Sequence, residues 1–163
     1  MKRLISVLLC GMLLVALFVC GCGKAIAPVN VKLYFLDENM NYAVEMREIK
    51  AENIWKATAE ELLKGPYITN LTSAIAGDVK VLSAEIVDGI CVVDLSEDFR
   101  EHNTGGTLKE SLAIYSIVNT LCAAGAEGVK INIEGDEEVD FGGHFYLGES
   151  FYFEPNMVRI EDR

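Results

Sequence analysis

The sequence predicts an α+β fold, a small mixed β-sheet with two main helices packed on one of its faces. Three observations carry this. Asp88-Gly89 stands between two apolar runs, and both residues of such a pair accept the positive φ of a type I′ turn, the strongest short hairpin signal a sequence offers. From Thr107 to Cys122 the residues Leu108, Leu112, Ile114, Tyr115, Ile117, Val118 and Leu121 cover too wide an arc for a surface helix, so this helix lies buried across a sheet. Residues 31–35, 42–47 and 129–133 alternate apolar with polar side chains, the period of strands.

Taken from its start, the chain has 163 residues, room for one domain. Met1-Lys2-Arg3 and the apolar run from Leu4 to Val19 have the charged start and greasy middle of a secretion signal. The following Val19-Cys20-Gly21-Cys22-Gly23 resembles a bacterial lipobox, in which a small residue precedes the cysteine that is cleaved before and acylated. Cys22 fits that role behind Gly21, whereas Cys20 follows the bulkier Val19 and is itself a departure from the usual residue. An uncleaved membrane anchor from Leu4 to Cys22 is the alternative. Both place residue 24 onward outside, because Lys2 and Arg3 hold the amino end in the cytoplasm. The expected organisation is a signal peptide at 1–21, a tether at 22–30 and one domain at 31–163 that includes the C-terminal tail.

Val31, Leu33 and Phe35 alternate with Lys32 and Tyr34, and the polar turn Asp37-Glu38-Asn39-Met40-Asn41 leads to a second strand. There Tyr42, Val44 and Met46 alternate with Ala43, Glu45 and Arg47. From Asn53 to Lys64 the spacing turns helical, with Trp55, Ala59, Leu62 and Leu63 on one face and Gly65-Pro66 as the stop. Trp55 reads as a packing anchor rather than a stacking surface for a ligand. Residues 67–78 read as a loop.

The two-residue turn at Asp88-Gly89 sets Val87 opposite Ile90, and hence Ile86 opposite Cys91, Ala84 opposite Val93 and Leu82 opposite Leu95 on one apolar face. Ser83, Glu85, Val92 and Asp94 share the other face, which can meet water. Ser96 is placed to cap a short helical turn ending at Phe99, and Thr107 with Glu110 forms a capping-box pattern at the start of the long helix. After the strand at 129–133, Val139 and Phe141 can return as a short partner. The tail carries Phe145, Tyr146, Phe151, Tyr152 and Phe153, for which packing across the domain is preferred to a partner surface.

Composition narrows the chemistry. Fourteen basic residues against 25 acidic ones give a net charge of −11, which argues against a nucleic-acid partner, since phosphate binding relies on clustered Lys and Arg. With Cys22 lipidated, Cys91 and Cys122 remain for pairing. Both lie on apolar faces and read as buried free thiols, although strand and helix pack together and a disulfide stays open. A hydrolase would draw Cys91 or Cys122 together with His102 or His144, but buried thiols are inert, and Ser111 and Ser116 read as ordinary helix residues. Asp136, Glu137, Glu138 and Asp140 lack the layout of a calcium loop, and two distant histidines make no zinc site. No metal and no cofactor are expected. Gly105-Gly106 and Gly142-Gly143 can form backbone nests for an anion, with ordinary turn geometry as the alternative.

Several segments together carry a family resemblance. Leu62 to Pro66, Leu71 to Ile75, Val93-Asp94-Leu95-Ser96 with Phe99, the Gly105-Gly106 pair, the run from Leu112 to Leu121, and Asp140-Phe141-Gly142-Gly143-His144 resemble, in this order along the chain, the GerMN domain of sporulation and spore-germination proteins. That resemblance spans about residues 31–150. It implies a fold similar to ring-building modules of envelope-spanning machines. It also implies a non-catalytic, lipid-anchored assembly or protein-interaction factor on the outer face of the cell membrane. The implied partners are the membrane, through lipid on Cys22, and envelope or sporulation proteins, with self-association among the possibilities. The second expectation is a receptor for a small ligand or wall fragment near Gly105, Gly106, Gly142, Gly143 and His144, and the third is the Cys-dependent hydrolase.

Overall fold

The computed structural model describes residues 26–155; the signal peptide, Cys22 and the start of the tether lie outside the described residues. Strands β1 (Val29–Leu36) and β2 (Tyr42–Ile49) form an antiparallel hairpin. Helix α1 (Ile54–Leu63) follows, capped by Asn53, whose side chain accepts the Lys56 N–H at 3.0 Å. Strands β3 (Val81–Val87), β4 (Ile90–Leu95) and β5 (Gly128–Ile133) make a mixed sheet in which β4 is central, antiparallel to β3 and parallel to β5. The crossover between β4 and β5 contains the short helix α2 (Asp98–Asn103) and the long helix α3 (Thr107–Ala123). Strands β6 (Asp140–Phe141) and β7 (Phe145–Tyr146) form a last small pair. Among the described residues no helix is long and apolar enough to cross a membrane.

The fold is the α+β arrangement with a mixed sheet that the sequence predicts. The sheet's inner face is Ala84, Cys91, Val93, Leu95, Val129, Ile131 and Ile133, every one buried. These residues join α1, α3 and the inner side of β1 in one apolar cluster. Burying each large side chain contributes roughly 1.5–3 kcal/mol, so this layer supplies most of the driving force.

The hairpin turn is as expected, with positive φ at Asp88 and Gly89 and Val87 opposite Ile90. Its far end differs. A bulge at Leu82 brings Val81 opposite Leu95, and Val81 is buried while Leu82 turns outward. One extra residue on one strand flips the side chains beyond it. On β2 the buried side chains are Tyr42, Glu45, Arg47 and Ile49, and Val44 and Met46 face solvent.

Polar groups tie the layers together. Arg47 donates from Nε to Glu45 (2.7 Å), from Nη1 to the Glu61 carbonyl (2.9 Å) and from Nη2 to the Gly65 carbonyl (2.5 Å), and its guanidinium lies 3.7 Å from the centre of the Tyr67 ring. Glu45 in turn accepts the N–H groups of Tyr67 and Ile68. Strand β2 is thereby latched to the end of α1 and the turn after it. On the opposite side, the Tyr34 N–H donates to Thr120 Oγ1 (3.1 Å) and its carbonyl accepts from Ser116 Oγ (2.8 Å). Two hydroxyls of α3 thus satisfy the Tyr34 backbone groups on the edge of β1 away from β2, so Ser116 is more than the ordinary helix residue it resembles in the sequence.

The tail divides. Phe151 exchanges backbone hydrogen bonds with Val129 and so covers the edge of β5, and its ring meets Tyr115 edge-on. Phe153 meets Tyr34, and Glu154 is pinned to Asn119. Tyr146 and Tyr152 stay exposed. Phe141 pairs with Phe145 rather than with β5.

Candidate functional site

Of the five residues singled out as a binding region, Gly105, Gly106, Gly142 and His144 come together around a further one, Glu110, and Gly143 lies in the adjoining turn without reaching it. The long helix begins at Thr107 with Gly106 as its N-cap, so the pairing of Thr107 with Glu110 is displaced by one residue from a capping box. Glu110 reaches back all the same: Oε1 accepts the N–H groups of Gly105 and Gly106, each at 3.0 Å. Its other oxygen, Oε2, accepts from His144 Nδ1 at 2.8 Å. The carboxylate is fully buried, while the His144 side chain is about half exposed, at 46%.

Packing fixes this geometry. Phe141, next to the Gly142-Gly143 turn, stacks on Phe99 of α2 with ring centres 5.0 Å apart. Gly142 has φ +66, and a Cβ there would sit 2.1 Å from Glu110 Oε1. Only glycine accepts both the left-handed backbone and that approach. Gly143 donates its N–H to Asp140 and closes the turn. Burial pushes the Glu110 carboxyl up, but the N–H groups of Gly106 and Gly105 and the His144 ring outweigh it and hold the group below the ordinary carboxylate range.

Chemically, the Gly105-Gly106 nest already holds an anion, the chain's own Glu110. The Glu110–His144 pair has the form of an orienting carboxylate and a base, yet among the described residues the ring's hydrogen-bond partner is Glu110. The thiols lie elsewhere. Cys91 is fully buried on β4, where burial pushes its thiol up to about 12. Cys122 is partly buried on α3, and burial raises it too, against a smaller opposing effect of the Phe153 N–H. Both are free, and a thiol so raised is a poor nucleophile.

Beside the Gly105-Gly106 loop lies an apolar groove of about 470 Å³, walled by Leu36, Met40, Ala74, Leu108 and Leu112. Met40 and Leu108 are more than half exposed at its lips. The loop was legible in the sequence but the groove was not, because its walls come from three separated segments: Leu36 and Met40 of the β1–β2 hairpin, Ala74, and Leu108 with Leu112 of α3.

The acidic stretch after β5 is used locally. Asp136 accepts the Glu138 N–H, Glu137 pairs with Lys130 at 2.8 Å, and Asp140 accepts from Gly143. Asp98, Glu101 and His102 stand within ligand distance of one another on one exposed turn of α2, where Asp98 also bonds Ser96. Ser96 itself accepts the Lys80 N–H instead of capping the helix.

Comparison with known proteins agrees with this architecture. The family described as Germane, sporulation and spore germination, matches residues 32–139. Among solved structures, tandem GerMN domains of the sporulation protein GerM from Bacillus subtilis superpose with a TM-score of 0.63 at 22% identity, over 86% of this chain and 51% of that one. The chain thus spans about half the length of that tandem protein. The first GerMN domain of the same protein gives 0.52 at 22% identity, over 66% of this chain and 84% of that one. A Clostridium perfringens protein provisionally classed as a lipoprotein gives 0.56 at 24% identity, over 82% and 94%. No curated protein matches the chain.

Proposed function

The chain belongs to the Germane family of sporulation and spore germination, and from that premise we propose that it is a non-catalytic interaction module of the cell envelope, held on the outer face of the membrane by lipid on Cys22. The observation that carries this reading is the closure of the candidate site on itself. Gly105, Gly106, Gly142 and His144 converge on Glu110 and stiffen the loop, and what the loop presents outward is the apolar groove with Met40 and Leu108 at its lips. An apolar surface on a rigid frame suits contact with another protein. The similarity to a protein provisionally classed as a lipoprotein supports the anchor. The lipobox-like Val19-Cys20-Gly21-Cys22 supports it independently.

The receptor reading is favoured by the same groove, whose volume suits a small ligand. It requires convergent polar groups for orientation, and here the polar groups turn inward to Glu110.

Crosslinking in living cells tests the proposal. The tagged full-length chain is sampled during growth and during sporulation, and its adducts are identified by mass spectrometry. Specific envelope proteins recovered from sporulating cells are the expected result. A chain that yields no protein adduct at either stage, with a Cys22→Ser variant unchanged in membrane association, contradicts it.

A further inference from the structure

The outer face of the mixed sheet is separate from the Glu110 site. Helices α1 and α3 join the cluster on the inner face, and α1 also reaches the edge of β3, where Asn53 Nδ2 donates to the Ala84 carbonyl (2.9 Å) and Lys56 Nζ to the Leu82 carbonyl (3.2 Å). On the outer face Val87, Ile90 and Val92 form an apolar strip in a cleft of about 570 Å³. Val87 is 55% exposed. Acidic groups flank this strip: Glu85 and Asp88 on one side, Glu137 on the other. Among the described residues the lysine lining the cleft is Lys130, and Glu137 engages it at 2.8 Å, so the cleft presents net negative charge around an apolar floor.

We propose that this cleft docks a basic segment of a partner protein, one that sets an apolar residue on Val87 and Val92 and Lys or Arg side chains on Glu85 and Asp88. The inference rests on the interaction-module reading and adds the surface and the chemistry of the partner. Charge complementarity decides the occupant. A second copy would bring the same carboxylates face to face, in a chain of net charge −11. Anionic lipid headgroups are repelled for the same reason.

The probe is a synthetic octapeptide of alternating lysine and valine, titrated into the isotope-labelled chain lacking residues 1–21 and followed by backbone NMR. Expected are shift changes confined to residues 83–92 and Lys130. Affinity should fall about tenfold in Glu85→Lys, and by a similar factor as salt is raised well beyond physiological strength. Val87→Ser, at an exposed position, should weaken binding without affecting the fold. Shift changes spread evenly over acidic residues such as Glu48, Glu52 and Glu60 overturn the proposal, as does binding confined to the groove at Leu108, or a dimer through this face in sedimentation. A photo-crosslinker at Val87 in cells separates the two claims. Protein adducts to the chain, with none from Val87, sink this surface and leave the interaction reading standing.

Discussion

Glu110 shows how one side chain organises a region that looks, in sequence, like two unrelated glycine pairs. A buried carboxylate is costly unless its charge is met by donors, and here two glycine N–H groups and an imidazole meet it. Gly142→Ala should therefore destabilise the domain more than Gly143→Ala. Both have positive φ, but a Cβ at Gly143 meets nothing within 4 Å, whereas at Gly142 it collides with Glu110. Urea unfolding should show a loss of about 1 kcal/mol for Gly143→Ala, from backbone conformation alone, and a clearly larger one for Gly142→Ala. The glycine pairs and His144 were legible in the sequence as candidates. Their centre was not, because Thr107 and Glu110 have the spacing of a capping box, and only the cap's true position at Gly106 shows what Glu110 reaches.

Among elements, β2 departs furthest from its hydropathy. Alternation announces a strand with two faces, and Val44 and Met46 would be the natural inward choice, yet Glu45 and Arg47 are the buried ones. The reason is long-range: Arg47 finds acceptors on Glu61 and Gly65, a residue set no local pattern displays. Arg47→Met should cost about 3–5 kcal/mol by stranding Glu45, and noticeably less in a Glu45→Gln background, a coupling that a double-mutant cycle measures. Helix α1 holds the reverse case. Thr58 is fully buried and among the described residues its hydroxyl has no hydrogen-bond partner, so Thr58→Val, which keeps the shape and removes the hydroxyl, should stabilise the domain by up to about 1 kcal/mol in thermal or urea unfolding. The β3–β4 register was legible from Asp88-Gly89, whereas the bulge at Leu82 was not, since period-two reading carries no mark of an inserted residue.

At the scale of the whole molecule, acid should weaken the fold in a defined window. Burial raises Glu110, Glu45 and Glu61, but hydrogen bonds and charge partners outweigh it, and all three are held below the ordinary carboxylate value. Each ionises more readily folded than unfolded, so its contribution is complete above the unfolded pKa, about 4.3, and is lost as pH falls through the lower folded value. Urea midpoints should be insensitive to these groups at neutral pH and drop below about pH 4.5. Glu110→Gln should flatten part of that drop; an unchanged pH profile in this variant contradicts the role given to Glu110. The family and the α+β class were readable because motifs and strand–helix order are local, while the groove at Leu108 assembles from the β1–β2 hairpin, residues 73–74 and the start of α3. The central claim, that this molecule works by holding another envelope protein, is tested most directly by native mass spectrometry of the full-length chain extracted in mild detergent from sporulating cells. A complex with a different protein that dissociates as salt is raised is the predicted result; a chain that carries only a small-molecule adduct, or none, contradicts it.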